Sequence, residues 1–480
     1  MARDNLPRAS RRRLLASAGG LAAAMGTGFT ARAAVSGAMP KPPLTIEPFW
    51  GPHQAGIVTP AQDHSYFAAF ALISDRRADV VAVLQRWTAA AAALSLGKTI
   101  IVPPTAVTPG RAATARNHTA AKPADAGAYP AASSDPGKDG TPPGTKPANG
   151  STSDDGNANG NDTRSEPPDP GHDSLEALAL GPSRLTITFG FGGGLFVKDG
   201  KDRYGLANSR PAALVDLPRF NGDQLQPART GGDLSIHACA DDPQVAFHAV
   251  RELARLAYGV AQVRWTQTGF LSMPMDGGTP RNLLGFKDGT QRPQQIDKAV
   301  WVGDEGPAWM RGGSYVVARR IRMALEHWDH THVSFQEQTI GREKLSGAPL
   351  GLTDEFASLG LDRTDKDGNP IIPDTAHVRL ANADTNGGAE ILRRGYSYND
   401  GVDFTAERWP PWRQGIEYDA GLFFVCYQRD PRTGFIRIFE NLSKIDMLNQ
   451  FVTHTGGGLF ACPPGVREGE FIAQGLFEGT

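Results

Sequence analysis

The sequence predicts an α+β protein of two ferredoxin-like (split βαβ) domains, each an antiparallel sheet with helices on one face. Three observations predict it. Short apolar runs of strand length and segments of helical periodicity follow one another as β-α-β…β-α-β, once in each half of the chain. That order favours helices segregated to one side of an antiparallel sheet. The pentapeptide Gly-Gly-Gly-Leu-Phe stands at Gly192 to Phe196 and again, letter for letter, at Gly456 to Phe460, which points to internal duplication. Finally, 480 residues with 40% apolar composition suffice for two or three sizeable cores.

Taken in order, residues 34–64 are proline-rich and read as an irregular arm. The run from Ser65 to Ile73 is apolar and of buried-strand length. Asp75 is placed to cap the helix that follows, where Val80, Val81, Val83, Leu84 and Trp87 form an apolar stripe. Ser183 to Gly190 alternates as a strand, and Asp233 to Cys239 reads as another. Asp242-Pro243 opens a helix by the rule of a capping side chain followed by proline at the first helical position. Its apolar face is Val245, Phe247, Val250, Leu253 and Ala254. Val260 to Trp265 and Thr268 to Ser272 supply further strand residues. In the second half, Gly313 to Ile321 is a strand, Met323 to Phe335 a helix and Gly421 to Gln428 a strand, and Phe435 to Phe439 begins a helical segment. These readings divide the chain into domains at 65–290 and 291–480, with the junction between Pro274 and Gln295.

Two segments fall outside this scheme. Ser10-Arg11-Arg12-Arg13-Leu14-Leu15 fits a twin-arginine export signal, followed by an Ala/Gly-rich run and Ala31-Arg32-Ala33 as a cleavage site. The expectation is a signal peptide over 1–33 and a mature, periplasmic or extracellular chain starting near Ala34. The apolar run is too short and too rich in glycine to span a bilayer, so no stable membrane insertion is expected. Residues 103–182 interrupt the first half with Gly, Asn, Ser, Asp and Pro. Such a segment buries too little apolar surface to offset its ordering entropy, so disorder is expected there.

Composition narrows the function. A net charge of −2 gives no basic face for nucleic acid. Cys239, Cys426 and Cys462 are too few for a disulfide scaffold and show no CxxC spacing. They read as buried thiols, with one disulfide left open in an oxidising compartment.

The chemistry-bearing residues lie in the second half. His377 stands in Ala376-His377-Val378-Arg379-Leu380-Ala381-Asn382, and Arg393-Arg394 follows sixteen residues later. A neutral imidazole is a common metal ligand, haem iron included. Upstream, Gly285-Phe286-Lys287-Asp288-Gly289 places an aspartate between two glycines. With this GxxDG signature, the His377 context and Arg393 in that order, the chain resembles the dye-decolorising peroxidases. Its export signal is similar to that of the branch holding the haem peroxidases, or deferrochelatases, of bacterial iron uptake. The resemblance runs from about Pro60 to Gly479, apart from the insertion.

The resemblance implies a haem b pocket beside the C-terminal domain, with one haem per chain and His377 as the iron ligand. Asp288 would move a proton between the peroxide oxygens, and Arg393 would stabilise the leaving oxygen. Gly289, Thr290, Gln291, Asn382, Ala383 and Asp384 would line the haem edge. The family often carries arginine where Asp384 stands. Arg394 is read as a propionate or surface partner, and Asp430 as a candidate acceptor for the second N–H of His377. The implied activity is reduction of hydrogen peroxide through a ferryl intermediate with oxidation of phenolic or dye-like donors, extending to acidic pH because an ordinary aspartate is ionised there. A second implied activity is release of iron from haem with the tetrapyrrole intact; a third reading is a non-catalytic haem carrier. Expected partners are hydrogen peroxide and small aromatic donors or haem, with room for a homodimer and for iron-uptake permease partners.

Three features are set aside. His327, His330 and His332 lack the spacing of a structural zinc site. Gly192-Gly193-Gly194 is no phosphate loop, because no GK[ST] follows. Trp409 and Trp412, beside prolines, read as packing residues.

Overall fold

The computed structural model describes residues 45–100, 173–406 and 414–478. The first unit comprises β1 (His64–Leu72), α1 (Arg77–Ser95), β2 (Thr186–Phe191), β3 (Leu234–Ala240), α2 (Pro243–Leu256) and β4 (Ala261–Phe270). Short helices α3 (Ile296–Val300), α4 (Leu325–Asp329), α5 (Val333–Ile340), α6 (His377–Ala381) and α8 (Gln474–Glu478) accompany the rest of the chain. Its framework is β5 (Ser314–Met323), β6 (Leu392–Arg393), β7 (Tyr396–Ala406), β8 (Gln414–Gln428), α7 (Phe435–Ile445) and β9 (Val452–Cys462).

Strand order is β2-β3-β1-β4 in the first sheet and β9-β5-β8-β7 in the second, with every pairing between these strands antiparallel. This is the split-βαβ order twice over, as the sequence predicts. The sheets meet at their edges through single pairs, Phe191 with Ala461 and Phe270 with Ser397.

Alternation along β1 explains the packing. Ala68, Phe70 and Leu72 face α1 and α2, in one core with Val80, Val83, Leu84, Trp87, Val250 and Leu253. Trp87 stacks on Phe189 with ring centroids 5.7 Å apart and donates from Nε1 to Leu253 O at 2.6 Å. Phe67 and Ala69 point the other way, into a second core with Val316, Ala318, Phe423, Val425 and Phe460. Each sheet is therefore covered twice, by helices and by the other sheet. That is why β3 is buried at every position, including the polar Ser235 and His237.

Several sequence expectations are corrected. Asp75 does not cap α1: its side chain is 81% exposed beside Arg203, and no side chain caps that helix at its N-cap residue, Arg76. Asp242 does cap α2, accepting from Gln244 N and Val245 N. The helix expected over Met323 to Phe335 is broken, because β5 stays paired with β9 through Met323 and His332 starts a fresh helix as the cap of α5. The two strand pieces after α2 are one strand, β4. Gly192 to Phe196 follows β2, whereas Gly456 to Phe460 lies inside β9, the fourth strand of its unit. The pentapeptides thus occupy unlike positions and meet at the seam between the sheets. Duplication shows in the strand order instead. Gly457, at φ +136°, is required where it stands, since a Cβ there would lie 1.9 Å from Ala318 O.

Residues 173–182, the last ten of the segment expected to be disordered, lie in turns against α1 and α2. The rest of the insertion, the export signal, Trp409 and Trp412 lie outside the described residues. Among the described residues, no helix is long and apolar enough to cross a membrane. Cys239, Cys426 and Cys462 are all buried and free.

Candidate active site

Asp288 stands in the loop between β4 and α3. Asn282 closes that loop on itself, its Oδ1 accepting from Leu284 N at 3.0 Å and its N–H donating to Phe286 O at 3.0 Å. Phe286 is buried against Trp328, and Asp288 N donates to Pro280 O at 2.8 Å. Gly285 at φ +85° and Gly289 at +115° take conformations that a side chain would strain. The backbone is fixed on both sides, and the Asp288 side chain projects at 27% exposure.

Arg393 reaches the same place from β6, which pairs with β8 at Tyr427 and Cys426. Extended chain alternates its side chains, so Leu392 and Arg394 turn inward while Arg393 turns out. Arg393 Nη1 donates to Asp288 Oδ1 at 2.8 Å. Arg394 is buried and bonds Thr59 O and Gln62 Oε1. It is neither a surface nor a propionate partner, because the chain's own acceptors hold it inside the fold.

His377 opens α6. Its Nδ1 lies 2.6 Å from Asp446 Oδ2, while the other oxygen of that buried carboxylate accepts from Leu448 N at 2.8 Å. Met447 N donates to Thr375 O at 3.1 Å, which ties the segment after α7 to the entry of α6. Asp430, the carboxylate expected here, is instead engaged by the Arg432 side chain next to it in a turn. Burial pulls the His377 pKa down, and the Asp446 carboxylate more than offsets this, leaving it above the ordinary imidazole value. The charges of Arg393 and Asp288 also reach the ring, with opposite signs.

These facts bear on whether the residues fit a haem. An imidazole whose Nδ1–H is held by a carboxylate offers Nε2 as a ligand of raised basicity. His377 is half-buried, with 33% of its side-chain surface accessible, so it borders open space. The carboxylate and guanidinium whose charges it feels are likewise 27% and 36% exposed. An imidazole, a carboxylate and a guanidinium, each partly exposed and electrostatically coupled, suit an iron porphyrin.

The residues expected at the haem edge follow directly on these segments. Gly289, Thr290 and Gln291 continue from Asp288; Thr290 Oγ1 donates to Glu355 Oε1 at 3.0 Å, and Gln291 is exposed. Asn382, Ala383 and Asp384 continue from α6; Asn382 Oδ1 accepts from Asp384 N at 2.8 Å, and Asp384 is exposed. Three supporting residues were missed. Asp446 holds the imidazole, Glu355 bonds both Lys287 and Thr290, and buried Arg342 donates to Gly347 O and Glu355 O. No spacing marks any of them, since each acts across a fold-dependent contact. His327, His330 and His332 are exposed, and His332 caps α5.

Two family models cover this architecture: Dyp-type peroxidase, N-terminal, over residues 54–271, and Dyp-type peroxidase, C-terminal, over 279–467. The chain belongs to the Dyp-type peroxidases. It is 41% identical over 324 residues to the dye-decolorizing peroxidase of Thermobifida fusca, covering 64% of this chain and 71% of that one. It is 31% identical over 489 residues to a deferrochelatase of Shigella flexneri, covering 98% and 97%. Ferric DtpA from Streptomyces lividans superposes with TM-score 0.70 at 35% identity, over 91% of this chain and 98% of that one. This Dyp-type peroxidase is a haem-dependent oxidoreductase.

In this Dyp-type peroxidase, Asp446→Asn should weaken haem retention or turnover about 10–100-fold, the usual effect of losing the partner behind a ligating histidine. The reduction potential should shift with it. Asp430→Asn should leave both unchanged. Spectroelectrochemistry of the two variants checks this.

Proposed function

We propose that this Dyp-type peroxidase reduces hydrogen peroxide at a haem b held through its iron by His377, oxidising phenolic or dye-like donors. The observation that carries the reading is the Asp288–Arg393 pair at 2.8 Å, whose charges reach the imidazole. Bound haem supplies the iron that takes up the oxidising equivalents of peroxide. The chain does the rest. Asp446 fixes the His377 proton on Nδ1 and so presents Nε2. Asp288 accepts the proton from one peroxide oxygen and returns it to the other. Arg393 stabilises the charge that gathers on the departing oxygen. Gly289, Thr290, Gln291, Asn382, Ala383 and Asp384 bound the haem edge.

The test is the absorption spectrum of purified protein before and after one equivalent of peroxide, followed by donor turnover across pH. An immediate spectral change with turnover extending to acidic pH is expected. A spectrum indifferent to peroxide, or an optimum above neutrality with haem in place, overturns the assignment.

A second reading is favoured by the deferrochelatase likeness over 98% of the chain: release of iron from haem with the tetrapyrrole whole, delivered to an iron-uptake permease. Incubation with haem, a reductant and a ferrous chelator would then yield metal-free porphyrin. The same proposal includes twin-arginine export with removal of residues 1–33, checked by N-terminal sequencing of exported protein. It also includes domains at 65–290 and 291–480, and a homodimer that sedimentation would reveal.

A further inference from the structure

A second cluster of chemistry-bearing side chains lies in the first unit, apart from the segments that carry Asp288, His377 and Arg393. Asp173, His248 and Glu252 are 3%, 5% and 2% exposed. One donor atom from each lies within 4.8 Å of the others, and His248 Nε2 is 3.5 Å from Asp173 Oδ2. Nitrogen and oxygen donors about a tetrahedral zinc stand roughly 3.4 Å apart. The His248–Asp173 pair is close to that spacing, and the Glu252 donor lies within 4.8 Å of both.

His248 is held from its far side: its Nδ1 lies 3.2 Å from Glu176 Oε1, which also meets Arg251 Nη1 at 3.1 Å. With the Nδ1 proton turned to Glu176, Nε2 is presented toward Asp173, the carboxylate–histidine–metal arrangement that fixes a ligand's tautomer. The charges agree. Three carboxylates, Asp173, Glu176 and Glu252, face two guanidiniums, Arg251 on Glu176 at 3.1 Å and Arg255 on Glu252 at 2.6 Å. A cavity of about 30 Å³ borders Asp173 and His248, room for one ion or water.

We propose that Asp173, His248 and Glu252 bind a first-row divalent cation, zinc ahead of manganese. One imidazole with two carboxylates suits such ions and lacks the six or more oxygens that calcium takes. The site joins α2, which carries His248 and Glu252, to the strand-free ends of the long insertion: Ile100 N donates to Asp173 Oδ2 at 2.8 Å, and Ser174 N to Glu252 Oε1 at 3.1 Å. Its role is to fasten the returning chain to the first domain.

The test uses the haem-loaded full chain, stripped with a chelator, dialysed against zinc chloride and assayed for zinc and iron by mass spectrometry. One zinc per chain is expected beyond the iron, with a raised melting temperature. His248→Gln and Asp173→Asn should each weaken zinc binding more than about tenfold while leaving the haem spectrum and peroxide turnover unchanged. The double variant His330→Ala, His332→Ala should keep the zinc. Absence of zinc from the stripped and reloaded chain, undiminished zinc in both single variants, or loss only in the His330/His332 variant overturns the proposal and leaves an ion-pair cluster. If His248→Gln does not fold, Asp173→Asn decides.

Discussion

Asp288→Asn should cut the rate of reaction with peroxide about 10²–10⁴-fold, the range for losing a positioned acid–base group. The amide keeps the shape of the side chain, so its contact with Arg393 should persist and the haem spectrum at rest should hardly move. What is lost is the ability to take a proton from one oxygen and return it to the other. Stopped-flow mixing with peroxide separates this step from donor oxidation. An unchanged rate would remove Asp288 from the mechanism and leave the loop at Gly285 and Gly289 without a catalytic purpose.

Arg393→Leu should slow the same step about 10²–10³-fold, the effect of removing one preorganised donor aimed at developing charge. The neighbouring change, Arg394→Leu, should act on stability instead. It strands Thr59 O and the buried Gln62 Oε1, the latter costing about 1–3 kcal/mol without a donor, so the melting temperature should fall while surviving protein still reacts with peroxide. Loss of reactivity confined to Arg394→Leu would reverse the assignment. Because Asp288 and Arg393 touch, the double variant should fall short of the product of the single effects. Additivity would mean that the 2.8 Å contact does not exist during turnover.

Much of the fold was legible because it rests on local patterns. Apolar runs of strand length, the Asp242-Pro243 helix start and the repeated element order need only near neighbours, and they place β1, β2, β3, β5 and α2 within a few residues, while β8 begins seven residues earlier than expected. Failures came where a partner decided the outcome. Met323 belongs to β5 because Val452 is opposite it, and residues 173–182 are ordered because α1 and α2 are there to receive them. The export signal is legible in the sequence and rests on it alone.

For the site, the chain by itself named the imidazole, the carboxylate and the guanidinium, since a short motif can record which chemical groups are present. Only the folded molecule decided which groups face each other. Asp446 rather than Asp430 holds His377, Arg393 rather than Arg394 meets Asp288, and a buried histidine on α2 stands among three carboxylates. Those choices depend on strand register, side-chain alternation and contacts between residues tens to hundreds of positions apart, which no local pattern encodes.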